Sequence, residues 1–199
     1  MKLSLCLFLL SASLPAQIFG IGVKGGLRLT DDFGGSLQSE SKRYAIGSMS
    51  IFRLPFGLSI ENNVMYRRLG LRVRPEDVGV VLPVQSFRAH SVEVPILGRK
   101  SIWKGTYVGA GYAPRVIFST GDLQLSGGGQ VNFEVPAFAL LTHGFVASAG
   151  IERRFGPILI APELRYMHWS QPSLQISSLR GFAIQPARNQ LDFMIGIGF

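Results

Sequence analysis

A period of two at both ends of the chain constrains the fold more than any other feature. In "FGIGVKGGLRLT", residues 19 to 30, Phe19, Ile21, Val23, Leu27 and Leu29 share one face, and Gly20, Gly22, Lys24, Gly26, Arg28 and Thr30 share the other. Successive strand side chains point to opposite faces, so this segment is predicted to be a strand with one apolar side. The C-terminal "NQLDFMIGIGF" repeats the pattern: Leu191, Phe193, Ile195, Ile197 and Phe199 fall opposite Gln190, Asp192, Met194, Gly196 and Gly198. Gly20, Gly22 and Gly25 also spell G-x-G-x-x-G. A dinucleotide-binding loop needs a buried strand before those glycines and a helix after them. What precedes them is "MKLSLCLFLLSASLPAQ", with one lysine, an apolar run from Leu3 to Leu10, then small residues. That is the layout of a secretory signal peptide, and the run is too short to span a bilayer as a helix. The expected division is a signal peptide over 1–16, cleaved after Ala16, and one domain over 17–199. The glycines are read as making space, not as holding phosphate.

Composition removes several chemistries. The only cysteine, Cys6, lies in the predicted signal peptide, which excludes a disulfide framework, a thiol nucleophile and a cysteine-ligated metal in the mature chain. His90 and His143 have no neighbours at metal-ligand spacing, so neither metal nor cofactor is expected. Net charge is +8, but the basic residues come in ones and twos, such as Arg67–Arg68, Arg99–Lys100 and Arg153–Arg154. No basic helix or aromatic-basic motif accompanies them, and nucleic acid is not an expected partner. A basic belt beside anionic lipid headgroups fits better. Nearly half the residues are hydrophobic (47%), yet no stretch beyond residue 20 approaches the length of a membrane helix. A chain that is apolar on average but never in long runs points to strands with alternating faces.

Eight such segments are predicted, at 19–30, 44–54, 58–68, 87–99, 106–118, 143–154, 158–169 and 189–199. Each has about the 9–11 residues that a tilted strand needs to cross a bilayer. "PFG" at 55–57, "KSIWKG" at 100–105 and "FGP" at 155–157 are short connections; those at 31–43, 69–86, 119–142 and 170–188 are long and rich in Gly, Ser, Pro and Gln. Short and long alternate along the chain. Outer-membrane barrels have this arrangement, with periplasmic turns, external loops and an even strand number. Because the bilayer leaves no water to satisfy a free edge, the first strand must pair with the last. The expected fold class is therefore all-β, an eight-stranded antiparallel up-and-down transmembrane β-barrel. Strand 44–54 gives no clear choice of face, Asn62 falls on an apolar track, and Pro95, Pro114 and Pro162 each remove a ladder hydrogen bond.

"FRLPFGLSIENNVMYRR", "SVEVPILGR", "TYVGAGYAPR", "HGFVASAGIERRFGPILIAPELRYMHW" and "NQLDFMIGIGF" together resemble the small outer-membrane β-barrel domain family that includes PorT-like proteins. The resemblance covers nearly the whole mature chain. It implies a porin-like barrel in the outer membrane of a Gram-negative-type bacterium, amid lipid and lipopolysaccharide, and it implies no one reaction. The terminal strand with Phe193, Ile195, Ile197 and Phe199 resembles the signal read by the outer-membrane insertion machinery.

Three sets of residues carry candidate chemistry. Parity places Glu61, Glu93, Glu152, Glu163 and Asp192 inward, with Lys24, Arg28, Arg67, Arg154 and Arg165. Eight strands enclose only enough room for side chains, so these groups are expected to pair in a nearly closed lumen, rather than to conduct or to act as an acid pair. Second, His168 and Ser170 in "YMHWS" share one face and resemble the catalytic pair of lipid A deacylases. That hydrolase alternative lacks an acid to orient the histidine, since Glu163 points to the opposite face and the next acid is Asp192. The plainer reading is an interfacial belt of Tyr166, His168 and Trp169. Third, the long loops at 31–43, 69–86, 119–142 and 170–188 are where an extracellular ligand would bind. The expected role is thus structural or surface interaction without catalysis. A secreted lipocalin-like carrier is the non-membrane alternative.

Overall fold

The computed structural model describes residues 19–30, 38–39, 43–73, 84–118, 123–126, 131–133, 139–170 and 187–199. The expected signal peptide lies outside the described residues, as does most of each long connection. The chain forms a closed, antiparallel, eight-stranded barrel. Its wall is built from β1 (Phe19–Arg28), β3 (Tyr44–Leu54), β4 (Leu58–Val73), β5 (Val84–Glu93) continued by β6 (Ile96–Trp103), β7 (Thr106–Phe118), β10 (Ala139–Ile151) continued by β11 (Arg153–Phe155), β12 (Ile158–Trp169) and β13 (Asn189–Gly198). Three short strands lie within the long connections: β2 (Gln38–Ser39) pairs with β4, β8 (Leu123–Ser126) with β5, and β9 (Val131–Phe133) with β8.

Closure is made by the two terminal strands, from Gly22 opposite Gly198 to Arg28 opposite Asp192. Each wall strand is otherwise paired with its sequence neighbour. The three short connections turn tightly through left-handed backbone at Phe56 and Gly57, at Lys104 and Gly105, and at Gly156. In a two-residue hairpin that geometry matches the twist of the flanking strands. Several strands run further than the sequence suggested: β4 continues to Val73, β5 starts at Val84, and β6 reaches Trp103, leaving Lys104–Gly105 as the turn. The long connections at 69–86 and 119–142 are accordingly part wall.

The prolines mark two seams. Pro95 sits in the break between β5 and β6, where its carbonyl accepts Asn63 N–H at 3.1 Å, and Pro114 accepts Val94 N–H at 2.9 Å across the same break. The missing donors of Pro95 and Pro114 thus fall where the ladder is already irregular. Pro162 lies in β12 opposite Ile195, close to the second break at Glu152.

Burial alternates along the wall, and it is inverted relative to a water-soluble protein. Lys24, Glu61 and Asp192 are fully buried in the lumen, whereas Phe193, Ile195 and Ile197 are exposed on the outside. The outward set includes Val23, Ile46, Ile60, Ile96, Phe145 and Ile160, from six different wall strands. Val92 and Val94 also lie on the outer face, half-buried. Strand β3 is apolar on both sides, with Ala45, Met49 and Ile51 inside and Tyr44, Ile46 and Phe52 outside. Asn62 does lie on the outer face, opposite Ser50.

Candidate functional site

The lumen is filled by two abutting clusters of ion pairs with apolar side chains between them. In the first, Glu61 accepts from Lys24, from Asn63 Nδ2 at 2.9 Å, from Arg165 Nη2 at 3.1 Å and from Arg99 Nη1 at 2.6 Å. Glu163 accepts from Lys24 at 2.9 Å, from the Tyr107 hydroxyl at 2.7 Å and from Arg165 Nε at 2.6 Å. Both carboxylates therefore have both oxygens engaged, as burial of a charge demands. Lys24 and Arg165 each bridge the two acids, so four charges on three strands form one unit.

The second cluster lies toward the long-connection end. Arg67 reaches Glu93 with Nε at 3.1 Å and grips both oxygens of Asp192 with its two terminal nitrogens. Such a fork is available to a guanidinium and not to an ammonium. Gln190 donates to Asp192 at 2.7 Å and accepts from Trp169 Nε1 at 3.1 Å. Arg28 stands 3.7 Å from Asp192. Arg115 stands 3.9 Å from Glu93 and lies over the Trp169 ring, 3.7 Å from its centre. Arg165 and Asp192 are register partners on β12 and β13, which is where the two clusters meet.

The clusters fit because inward glycines leave room. A Cβ at Gly196 would lie 2.7 Å from Met49 Sδ, and one at Gly150 would lie 2.6 Å from the Tyr107 hydroxyl. Met49 then packs with Ile51 and Leu159, and Met65 with Ala45 and Met194. The glycine-rich inner face of β1 and β13 serves this packing.

The expected inward residues are distributed as follows. Glu61, Glu93, Glu163, Asp192, Lys24, Arg28, Arg67 and Arg165 are all buried. Glu152 is inward but partly open, held by Arg53 at 2.7 Å and Arg99 at 3.1 Å. Arg154 is a correction. It shares the inward face through its register with Leu159, but it is exposed at the short-turn mouth and joins no ion pair among the described residues. Arg53, Arg99 and Arg115, unassigned from sequence, take the inward places. Parity carried the signal for Arg99, which is in step with Glu93 across the Pro95 break.

On the outer face, His168 and Ser170 do not form a nucleophile–base pair. The Ser170 hydroxyl donates to the His143 carbonyl at 2.7 Å, while His168 Nδ1 lies 2.7 Å from Asn189 Oδ1. Tyr166 donates to the same Asn189 oxygen at 2.8 Å. Tyr166 and His168 thus form an outward polar-aromatic group. Trp169 is a correction to the expected belt: it is 1% exposed and faces the lumen. His90 lies 2.5 Å from the Tyr66 hydroxyl and stacks on Phe118, and His143 stacks on Tyr112. Among the described residues no group of three or more His, Cys, Asp and Glu side chains could hold a metal ion.

No protein-family model matches the chain, and no curated protein matches it in sequence. Among solved structures it is similar to Neisserial surface protein A (NspA), at 10% identity and a TM-score of 0.45, with 90% of this chain and 94% of that chain covered. It is also similar to Ail, the attachment invasion locus protein of Yersinia pestis, solved in complex with the heparin analogue sucrose octasulfate. That likeness has 10% identity and a TM-score of 0.41, over 90% of this chain and 94% of that chain. Neither comparison places the chain in the PorT-like family.

Proposed function

We propose that this chain is an integral outer-membrane barrel, of the PorT-like class that its sequence resembles. In this reading it acts through the surface it presents and not through catalysis or conduction. One observation carries the proposal: the side-chain distribution is inside out. Large apolar residues are exposed around the wall, while Lys24, Glu61, Glu163, Arg165 and Asp192 are at most 1% exposed within it. A monomeric protein in water rarely exposes a contiguous apolar patch beyond a few hundred Å². A lipocalin-like carrier requires the opposite arrangement, an apolar lumen and a polar exterior. Exposed Phe199 at the end of an alternating strand supports recognition by the insertion machinery. The short-turn end then faces the periplasm, and the long connections face outward, available to an extracellular ligand.

The hydrolase alternative gains no support from the geometry, since Ser170 and His168 have separate partners. Fractionation tests the membrane assignment. The protein should be found in detergent-extracted outer membranes and migrate faster on a gel when unheated than when heated. Recovery as a soluble, lipid-free protein would overturn the assignment.

A further inference from the structure

At the short-turn mouth the lumen opens into a cavity of about 350 Å³, lined by Arg53, Arg99, Arg154, Tyr107, Glu152 and Ser101, among others. Three guanidinium groups therefore meet one carboxylate. Glu152 occupies Arg53 Nη2 and Arg99 Nη2. Arg99 is 2% exposed, lies against the Tyr107 ring and gives Nη1 to Glu61, yet its Nε has no hydrogen-bond partner. Arg53 Nη1 is likewise buried and unpartnered. Arg154 adds a third cation, with no ion pair among the described residues. At this mouth three guanidinium groups share a single carboxylate, so donors exceed acceptors. A buried N–H of a charged group without an acceptor is costly, and an oxyanion that takes the place of Glu152 against these groups is held in the fork geometry that guanidinium groups favour.

We propose that this mouth is an anion-binding vestibule that takes a phosphate-type oxyanion between Arg53, Arg99 and Arg154. Glu152 acts as the internal competitor for the same donors. The vestibule goes beyond the surface role proposed above, and it needs the membrane reading only to say that the anion comes from the periplasmic side. The chemistry is shared by a soluble phosphate and by a phospholipid headgroup of the inner leaflet.

The test uses the mature chain refolded in uncharged octyl glucoside micelles, with ¹⁵N-labelled arginine, titrated with inorganic phosphate. Saturable movement of the Arg99 Nε–H signal is expected. Arg154→Ala should weaken binding about ten-fold, the loss of one charge-assisted hydrogen bond, without changing the unfolding midpoint. Glu152→Gln should tighten binding. Lys104→Gln, at the same end but outside the cavity, should leave it unchanged. Absence of saturation, or equal weakening by Lys104→Gln and Arg154→Ala, would overturn the vestibule in favour of diffuse surface charge. In nanodiscs, displacement of phosphate by phosphatidylglycerol would assign the site to a headgroup. Retention of phosphate would assign it to a soluble ligand.

Discussion

Arg165 is 1% exposed and, like Lys24, bridges Glu61 and Glu163. Removing it leaves Glu163 with Lys24 as its one remaining cation among the described residues, while Glu61 keeps Lys24 and Arg99, in a space closed to water. Breaking a buried ion pair from one side costs about 3–5 kcal/mol, because the remaining charge keeps its desolvation penalty. Arg165→Ala should therefore lose that much stability, read from reversible urea unfolding in lipid vesicles. Arg154→Ala, at the exposed mouth, should leave the unfolding midpoint where it is. The contrast separates two arginines that sequence parity treats alike. Parity tells which way a side chain points, not how deep it lies, and Arg154 is inward only at the rim. It also failed at Arg53, because β3 is apolar on both faces: Met49 and Ile51 fill the lumen there, so neither face looked polar. Arg115 follows Pro114, which obscured its place in the alternation.

At the scale of the strand, β13 was legible because its two faces meet opposite surroundings along its whole length. Ile195 points outward, in register with Gly25 on one side and Pro162 on the other. In the membrane reading proposed above a charge placed there faces hydrocarbon, so Ile195→Arg should cost about 2–4 kcal/mol at the midplane. Leu191→Arg, near the long-connection end, should cost about 0–1 kcal/mol. Equal refolding yields and unfolding midpoints for Ile195→Arg and the parent would show that this face is not in lipid. The inner face makes a complementary prediction. A Cβ at Gly196 would press on the flexible sulfur of Met49. Gly196→Ala should therefore destabilise the barrel by about 1–3 kcal/mol through overpacking. Most of that loss should be recovered by adding Met49→Ala, a coupling that a double-mutant cycle measures. Strand ends were less legible than strand faces. The wall continues into β4, β5 and the β8–β9 pair, where pairing with a neighbour, not local composition, decides where a strand stops.

For the whole molecule, strand number and side-chain volume together decide whether the barrel can conduct. Eight strands give a diameter that side chains alone can fill, whereas porins of 16 to 18 strands leave an aqueous channel. Here the filling is specific. Arg67, Glu93 and Asp192 tie β4, β5 and β13 together across the lumen. Lys24, Glu61, Glu163 and Arg165 do the same for β1, β4 and β12. Trp169, Leu97, Ala113, Val146 and Met167 pack as an apolar cluster against this framework. An ion entering from either end would have to displace a buried pair and shed its own hydration, and the desolvation alone would cost several kcal/mol. Planar-bilayer recordings of the purified parent should accordingly show negligible single-channel current. Arg67→Ala should admit water around Asp192 and Glu93, producing brief, cation-preferring openings as the two carboxylates lose their shared guanidinium. Large and stable currents from the parent itself would mean that the clusters line a pore, and the ionic core would then be a selectivity filter and not a plug.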